Sequence, residues 1–320
     1  MPLDGQAESL GAAGGAAAGA LPAALTPALV PLLTEIGDLK RVIAAHMDAS
    51  FATRSFLRGW GRIARGDNAE ALAYEHGASA VAAARLGAID GERLVALSLS
   101  EDEARATLLR SLDKVAGPVD GALAARLRDA MPLREPPMED LAPPFAKALA
   151  RQPRAGVTCP GRARVMLQPE ENHADHSWVV AAYALILAPA FGADPARAWW
   201  FGMTHHLHSA GMPDAGFTGE MLLEPNLGRV IDAAREQALR ELPDAARARV
   251  EPVFAEIAAD ETPEARAFHA ADVIDRVLET QYHTRANGLT MDRVLNEYEL
   301  VHDGPVKGFH DDVLRAVALP

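Results

Sequence analysis

The chain has 320 residues, 49% of them apolar and 23% charged, and a formal net charge of −13 at pH 7. This is the balance of a soluble globular protein with one large domain or two ordinary ones. It argues against a nucleic-acid backbone or an anionic membrane as the main partner, since both are bound through basic surface. Cys159 is the lone cysteine, so no intrachain disulfide can form, and an intracellular compartment is the default. Asp4 and Glu8 stand where a secretory signal would carry basic residues. The longest apolar run, Trp178 to Ala193, contains Pro189 and is shorter than the roughly 20 residues that span a bilayer. The expected location is cytoplasmic.

Residues 1–25, mostly Ala and Gly, have few large side chains to bury and read as a flexible tail. Leu29, Leu32, Leu33, Ile36, Leu39, Val42 and Ile43 then recur at helical intervals. They open a helical N-terminal region over 26–150, with further helices expected over 69–86, 91–98, 101–116, 120–130 and 140–150. The prolines of Pro132–Pro137 and Pro143-Pro144 punctuate its end. A second region, 151–320, predicts helices over 174–190, 195–209, 226–241, 244–259, 262–284 and 290–300. Strand-like alternation is almost absent, so the expected fold class is all-α.

The segment 177–188 is apolar on every side, which marks a central core helix. At its polar start, His173 and His176 stand three apart and face the same way. The next helix carries Trp199 and Trp200, expected in the core, and runs into Thr204-His205-His206-Leu207-His208-Ser209. Neighbours on a helix diverge by about 100°, so His205 and His206 could share an ion only by straddling it. The helix 262–284 carries Asp272 and Asp275 one turn apart, with Asp275 expected to pair with Arg276 or Arg235.

Imidazoles and carboxylates on separate helices are what a protein uses to hold a divalent transition metal from several sides. His176, His205, His206 and Asp272 are the candidate ligands, with His173 and His208 beside them. A buried polar network holding no ion is the alternative. The isolated His46, His283 and His310 read as surface or hydrogen-bonded structure.

A helix bearing a His, a later helix ending in a His pair and a distant helix bearing an Asp resemble the HD-domain metal-dependent phosphohydrolases. The run from Pro169 through Glu171, His173 and His176 to Ser177 is similar to the first metal-His segment of their nucleotidase-like branch. Pro153-Arg154-Ala155-Gly156-Val157 resembles that branch's Arg-x-Gly-Trp lead-in, Thr218-Gly219-Glu220 its Thr-Gly-Asp loop and Ala271-Asp272 its Ala-Asp. The resemblance covers roughly residues 150–285. It implies an HD-like helical bundle that uses a divalent metal to hydrolyse a small phosphomonoester, a nucleotide first among them. In that scheme Arg162 and Arg164 contact the phosphate, and Asp214 or Glu171 accepts the proton of the attacking water.

Two positions depart from the pattern. His206 stands where the family carries Asp, which removes a negative charge and favours a softer ion. Ser209 stands where the nucleotidase-like branch places a water-activating Glu. The metal expected is one of Zn, Fe, Mn, Co or Ni, and two other functions stay open. One is a catalytically degenerate HD-fold binding or scaffold protein; the other is a His-rich iron site with oxidative chemistry. Arg58-Gly59-Trp60 and Ala69–His76 resemble the same lead-in and first-His segments, and His76 and His176 lie 100 residues apart. Residues 29–130 thus read either as a degenerate repeat or as an unrelated helical cap. A homo-oligomer is left open.

Overall fold

Residues 21–287 and 290–320 are described in a computed structural model. Residues 1–20 of the expected tail lie outside the described residues. Of the other five, Leu25 is buried and Leu21 packs against the core.

Among the described residues there are fifteen α-helices and no strand. The first seven are α1 (Val30–Gly37), α2 (Phe51–Arg65), α3 (Ala69–Leu86), α4 (Gly91–Ala96), α5 (Glu101–Val115), α6 (Gly121–Asp129) and α7 (Pro144–Leu149). The others are α8 (His173–Phe191), α9 (Pro195–Thr204), α10 (Gly216–Met221), α11 (Leu227–Leu239), α12 (Asp244–Glu256), α13 (Pro263–Asn287), α14 (Met291–Asn296) and α15 (Lys307–Ala316). The all-α expectation holds. Helix α2 was not expected: arginines at 54, 58, 62 and 65 interrupt its apolar pattern, although Phe51, Phe56, Trp60 and Ile63 are all buried.

Helix α8 is the axis of the fold. Its residues from His173 to Ala188 are all buried, and α9, α13, α2 and α3 pack around it. By length and composition α8 could cross a membrane, yet here it is enclosed by the other helices. Asn172 caps its start by accepting from the Asp175 N–H at 2.9 Å, which sets His173 and His176 in the first turn. Gly192, at φ 69°, ends it. Asp194 and Pro195 start α9 immediately afterwards. The two helices approach so closely that a Cβ on Gly202 would lie 2.3 Å from the Ala181 backbone.

One apolar core runs through both halves of the chain, from Leu25 to Val317. Trp60, Trp178 and Trp199 are its largest fully buried members, and Trp200 joins them as expected. His76 of α3 lies inside this core, accepting a hydrogen bond from Trp178 Nε1 at 3.2 Å and meeting Trp199 edge-on. Between α7 and α8 the chain makes only two isolated β-bridges, Pro153 with Asn172 and Val157 with Val165. The Arg154 N–H donates to the Glu171 carbonyl at 2.9 Å, tying this loop to the start of α8.

Candidate metal centre

Three elements bring the candidate ligands near one another: His176 of α8 meets His205 and His206, which follow α9, and Asp272 of α13 reaches His176. The expected helix 195–209 stops at Thr204, and a 3₁₀ turn over Leu207–Ala210 follows. Thr204 helps to end it, its hydroxyl donating to the Trp200 carbonyl at 2.7 Å. His206 leaves helical geometry, at φ −102° and ψ 16°. The break removes the constraint that regular helix places on neighbouring side chains. The His205 and His206 rings lie with centroids 4.2 Å apart, and those of His176 lie 5.1 and 5.2 Å from them.

His176, His205 and His206 each offer a ring nitrogen, and the three nitrogens lie within 4.8 Å of one another. Side-chain bonds decide which nitrogens are free. His205 Nδ1 lies 2.7 Å from the Gly202 carbonyl and so donates to it, leaving Nε2 as a lone pair. His176 Nδ1 faces Asp275 Oδ2 at 2.8 Å in the same way. His176 Nε2, His205 Nε2 and His206 Nδ1 are buried with no hydrogen-bond partner. Asp272 Oδ1 lies 3.2 Å from His176 Nε2, and Asp272 Oδ2 accepts from Arg276 at 2.8 Å.

The charges suit lone-pair donors. Burial, with the neighbouring imidazoles, presses His205 and His206 well below the ordinary histidine range, so both are neutral at pH 7. Burial opposes the charge of Asp272, but Arg276 and His176 outweigh it and hold the carboxyl well below the usual range. His173 touches His206 at 4.7 Å between centroids, and burial lowers it to about 3. His208 lies farther out, 5.8 Å from His206, and burial lowers it to about 4.

The other expected site residues are placed as follows. Asp214 faces His173 Nε2 at 3.5 Å and accepts from the backbone N–H of Ala155 and of Gly216. Despite burial, those donors and Arg154 keep its carboxyl below the usual range. Glu171 is half-buried, 2.5 Å from Lys40 Nζ and 3.8 Å from Arg154. Arg162 lies on the surface beside Glu297 at 3.4 Å, and Arg164 donates to the Ala215 carbonyl from an exposed position. Neither arginine lines the cavity that His206 borders. That cavity, about 230 Å³, is walled by Arg154, His206, Asp214, Glu220, Arg276 and His302 among others.

The expected pairing of Asp275 with Arg276 or Arg235 is not found: Asp275 meets His176 instead, and Lys40 Nζ at 2.7 and 2.8 Å. Lys40, Arg276 and Glu279 are neighbours of the site that sequence reasoning missed. Asp272, Asp275, Glu279 and His283 follow one another at three- and four-residue steps, a polar stripe that α13 would not carry on a buried face without partners. That stripe was the available signal for Glu279. Nothing local marks Lys40. His283 is hydrogen-bonded structure, as expected, meeting Glu279 at 2.7 Å and the Gln168 carbonyl at 3.1 Å. His310 is buried.

Compared with known families, residues 146–303 match the model of the HD domain. No curated protein and no solved structure matches the chain.

Proposed function

Since residues 146–303 of this chain belong to the HD-domain family, we propose that it is a metal-dependent hydrolase of a small phosphomonoester, with a nucleotide as first candidate. The observation that carries this reading is the convergence of one ring nitrogen each from His176, His205 and His206, with His176 Nε2, His205 Nε2 and His206 Nδ1 all buried and making no hydrogen bond. Leaving a polar atom buried and unbonded costs on the order of 1–3 kcal/mol. Three such atoms on neighbouring rings, beside an ionised Asp272, fit a divalent cation. His176, His205, His206 and Asp272 would hold it. Bound there, the ion supplies Lewis acidity toward a water and a phosphoryl oxygen.

The chain's own residues divide the remaining work. Arg154 and Arg276 line the cavity that His206 borders, whereas Arg162 and Arg164 do not. The phosphate-holding role therefore moves to Arg154 and Arg276, whose guanidinium groups bind phosphate oxygens in pairs. Arg154 stays charged there: burial opposes its charge, but Glu171, Asp272 and Asp214 more than offset it. Glu171 is already engaged by Lys40. The proton of an attacking water falls to Asp214, an ionised carboxylate on the cavity wall held in place by two backbone donors. Asp214 thus does the work for which the family pattern has Glu where this chain has Ser209.

The test is phosphate release from nucleoside monophosphates and simple phosphoesters, with Mn²⁺, Co²⁺, Ni²⁺, Zn²⁺ or Fe²⁺ added to metal-stripped protein. Stimulation by at least one ion, lost in Asp272→Ala, is the expected result. No turnover under any ion would leave the fold as a binding scaffold. The donor set also supports a second reading, since imidazoles beside a carboxylate suit iron as well as zinc. Oxygen consumption by the Fe²⁺-loaded protein without phosphate release would mark oxidative chemistry instead.

A further inference from the structure

Lys40 is an expensive residue to bury. Its side chain is 2% exposed, and burying an ammonium costs several kcal/mol unless carboxylates compensate. Three carboxylates meet it: Glu171 at 2.5 Å, Asp275 at 2.7 and 2.8 Å, and Glu279 at 3.3 Å. Arg41 takes the other Glu279 oxygen at 2.5 Å.

The first half of the chain is built to deliver this residue. Leu32, Leu33 and Ile36 bury one face of α1, and Tyr183 of α8 donates to the Leu33 carbonyl. Gly37 fits directly under that tyrosine: a Cβ there would lie 2.8 Å from its hydroxyl oxygen. The 3₁₀ turn Asp38–Lys40 then carries the ammonium under the first turn of α8.

Asp275 Oδ2 is shared. It receives Lys40 Nζ at 2.8 Å and faces His176 Nδ1 at 2.8 Å. The ammonium holds both oxygens of Asp275, which fixes the carboxylate plane. The carboxylate in turn fixes the imidazole with Nδ1–H inward and Nε2 toward Asp272. Glu171, His176 and Asp275 also offer donor atoms within 4.8 Å of one another, a second place where a cation could sit. Lys40 Nζ is the cation found there. Without it, Asp275, Glu171 and Glu279 would face each other with too little positive charge, and the support under His176 would loosen.

We propose that Lys40 is a positioning residue of the metal centre, acting through Asp275 to present His176 Nε2 to the ion. The inference rests on the metal reading of the site. Outer partners of this kind are worth about 10–100-fold in metal affinity.

The experiment compares wild type, Lys40→Arg and Lys40→Met by two measurements. Long-range ¹H–¹⁵N spectra of the metal-free protein report the His176 tautomer, and calorimetric titration with Zn²⁺ alone reports affinity. Wild type is expected to show Nδ1–H and bind Zn²⁺. Lys40→Met is expected to lose that single tautomer and bind about 10–100-fold more weakly, with Lys40→Arg recovering part of both. If Lys40→Met does not fold, the charge-balanced pair Lys40→Met with Glu279→Gln carries the same expectation. A folded Lys40→Met, or folded pair, with tautomer and affinity unchanged would overturn the inference while leaving the metal site intact. Wild type that binds no Zn²⁺ would overturn the metal reading beneath it.

Discussion

His176 and Asp275 are joined through Nδ1 and Oδ2 at 2.8 Å, and this bond points the other nitrogen of His176 at Asp272. A ligand histidine needs such a bond, because only the nitrogen opposite its N–H can donate a lone pair. His205 obtains the same result from a backbone carbonyl, that of Gly202. Two of the three imidazoles are therefore oriented before any ion arrives.

Removing a ligand should separate metal binding from folding. His205→Ala and Asp272→Ala are expected to lose measurable Zn²⁺ or Mn²⁺ binding by calorimetry while keeping near-native helical circular dichroism. The fold rests on apolar helices over its whole length, whereas the ion depends on a few donors. Loss of helix in step with loss of metal would contradict this division.

His206→Asp should shift ion preference toward harder cations. A carboxylate in place of the imidazole adds a negative charge and a hard oxygen donor, so Mn²⁺ or Mg²⁺ should gain relative to Zn²⁺. Competition titrations on wild type and variant measure the ratio directly. An unchanged ratio would mean that His206 is not a ligand.

Arg154 and Arg162 should differ in turnover. Arg154→Ala is expected to lower kcat/KM by roughly 10–100-fold, the worth of one charged hydrogen-bonded contact to phosphate. Arg162→Ala should stay near wild type, since Arg162 sits outside the cavity beside Glu297. The opposite ranking, measured by steady-state kinetics, would return the phosphate to the surface arginine.

Gly202→Ala should weaken both the fold and the site. Helix propensity alone would favour Ala by about 1 kcal/mol. The added Cβ, however, would meet Ala181 backbone atoms at 2.3 Å, and backbone cannot move aside as a flexible side chain can. A lower thermal midpoint and weaker metal binding are expected together, because α8 carries His176 and α9 leads to His205. A thermal midpoint equal to or above wild type would contradict the close packing.

His76 should make stability depend on pH. Burial lowers its pKa to about 3 in the folded chain, against 6.5 for an ordinary histidine. Between these values the unfolded chain binds a proton that the folded chain cannot, so stability falls as pH drops below about 6.5. The slope from one such group approaches about 1.4 kcal/mol per pH unit. His76→Gln should unfold more easily at pH 7 but show a shallower loss between pH 6.5 and 5, by denaturant titration. An unchanged slope would assign the acid sensitivity to other histidines.

Much of the helical layout was legible because hydrophobic period is a local property. The expected 69–86 coincides with α3, and 174–190 falls within one residue of each end of α8. The gathering of His176, His205 and His206 was also foreshadowed, by two imidazole clusters placed at helix ends. The break after Thr204 was not. Trp200, Met203 and Leu207 keep helical spacing and so hide a change from α to 3₁₀ geometry, and that change lets adjacent histidines approach one another.

The sequence by itself determined the helical class, the core axis along α8 and the residue types at the site. Only the tertiary structure decided who meets whom. Lys40 and Asp275 are 235 residues apart, and each residue's local pattern is silent about the other. Arg154 faces the cavity from the loop before α8, pinned at Glu171 and Val165, and Arg276 faces it from α13, whereas Arg162 and Arg164 do not line it. Periodicity follows from the geometry of one helix and can be read along the chain. Charge pairing depends on distances between separate elements, which exist only after those elements have packed.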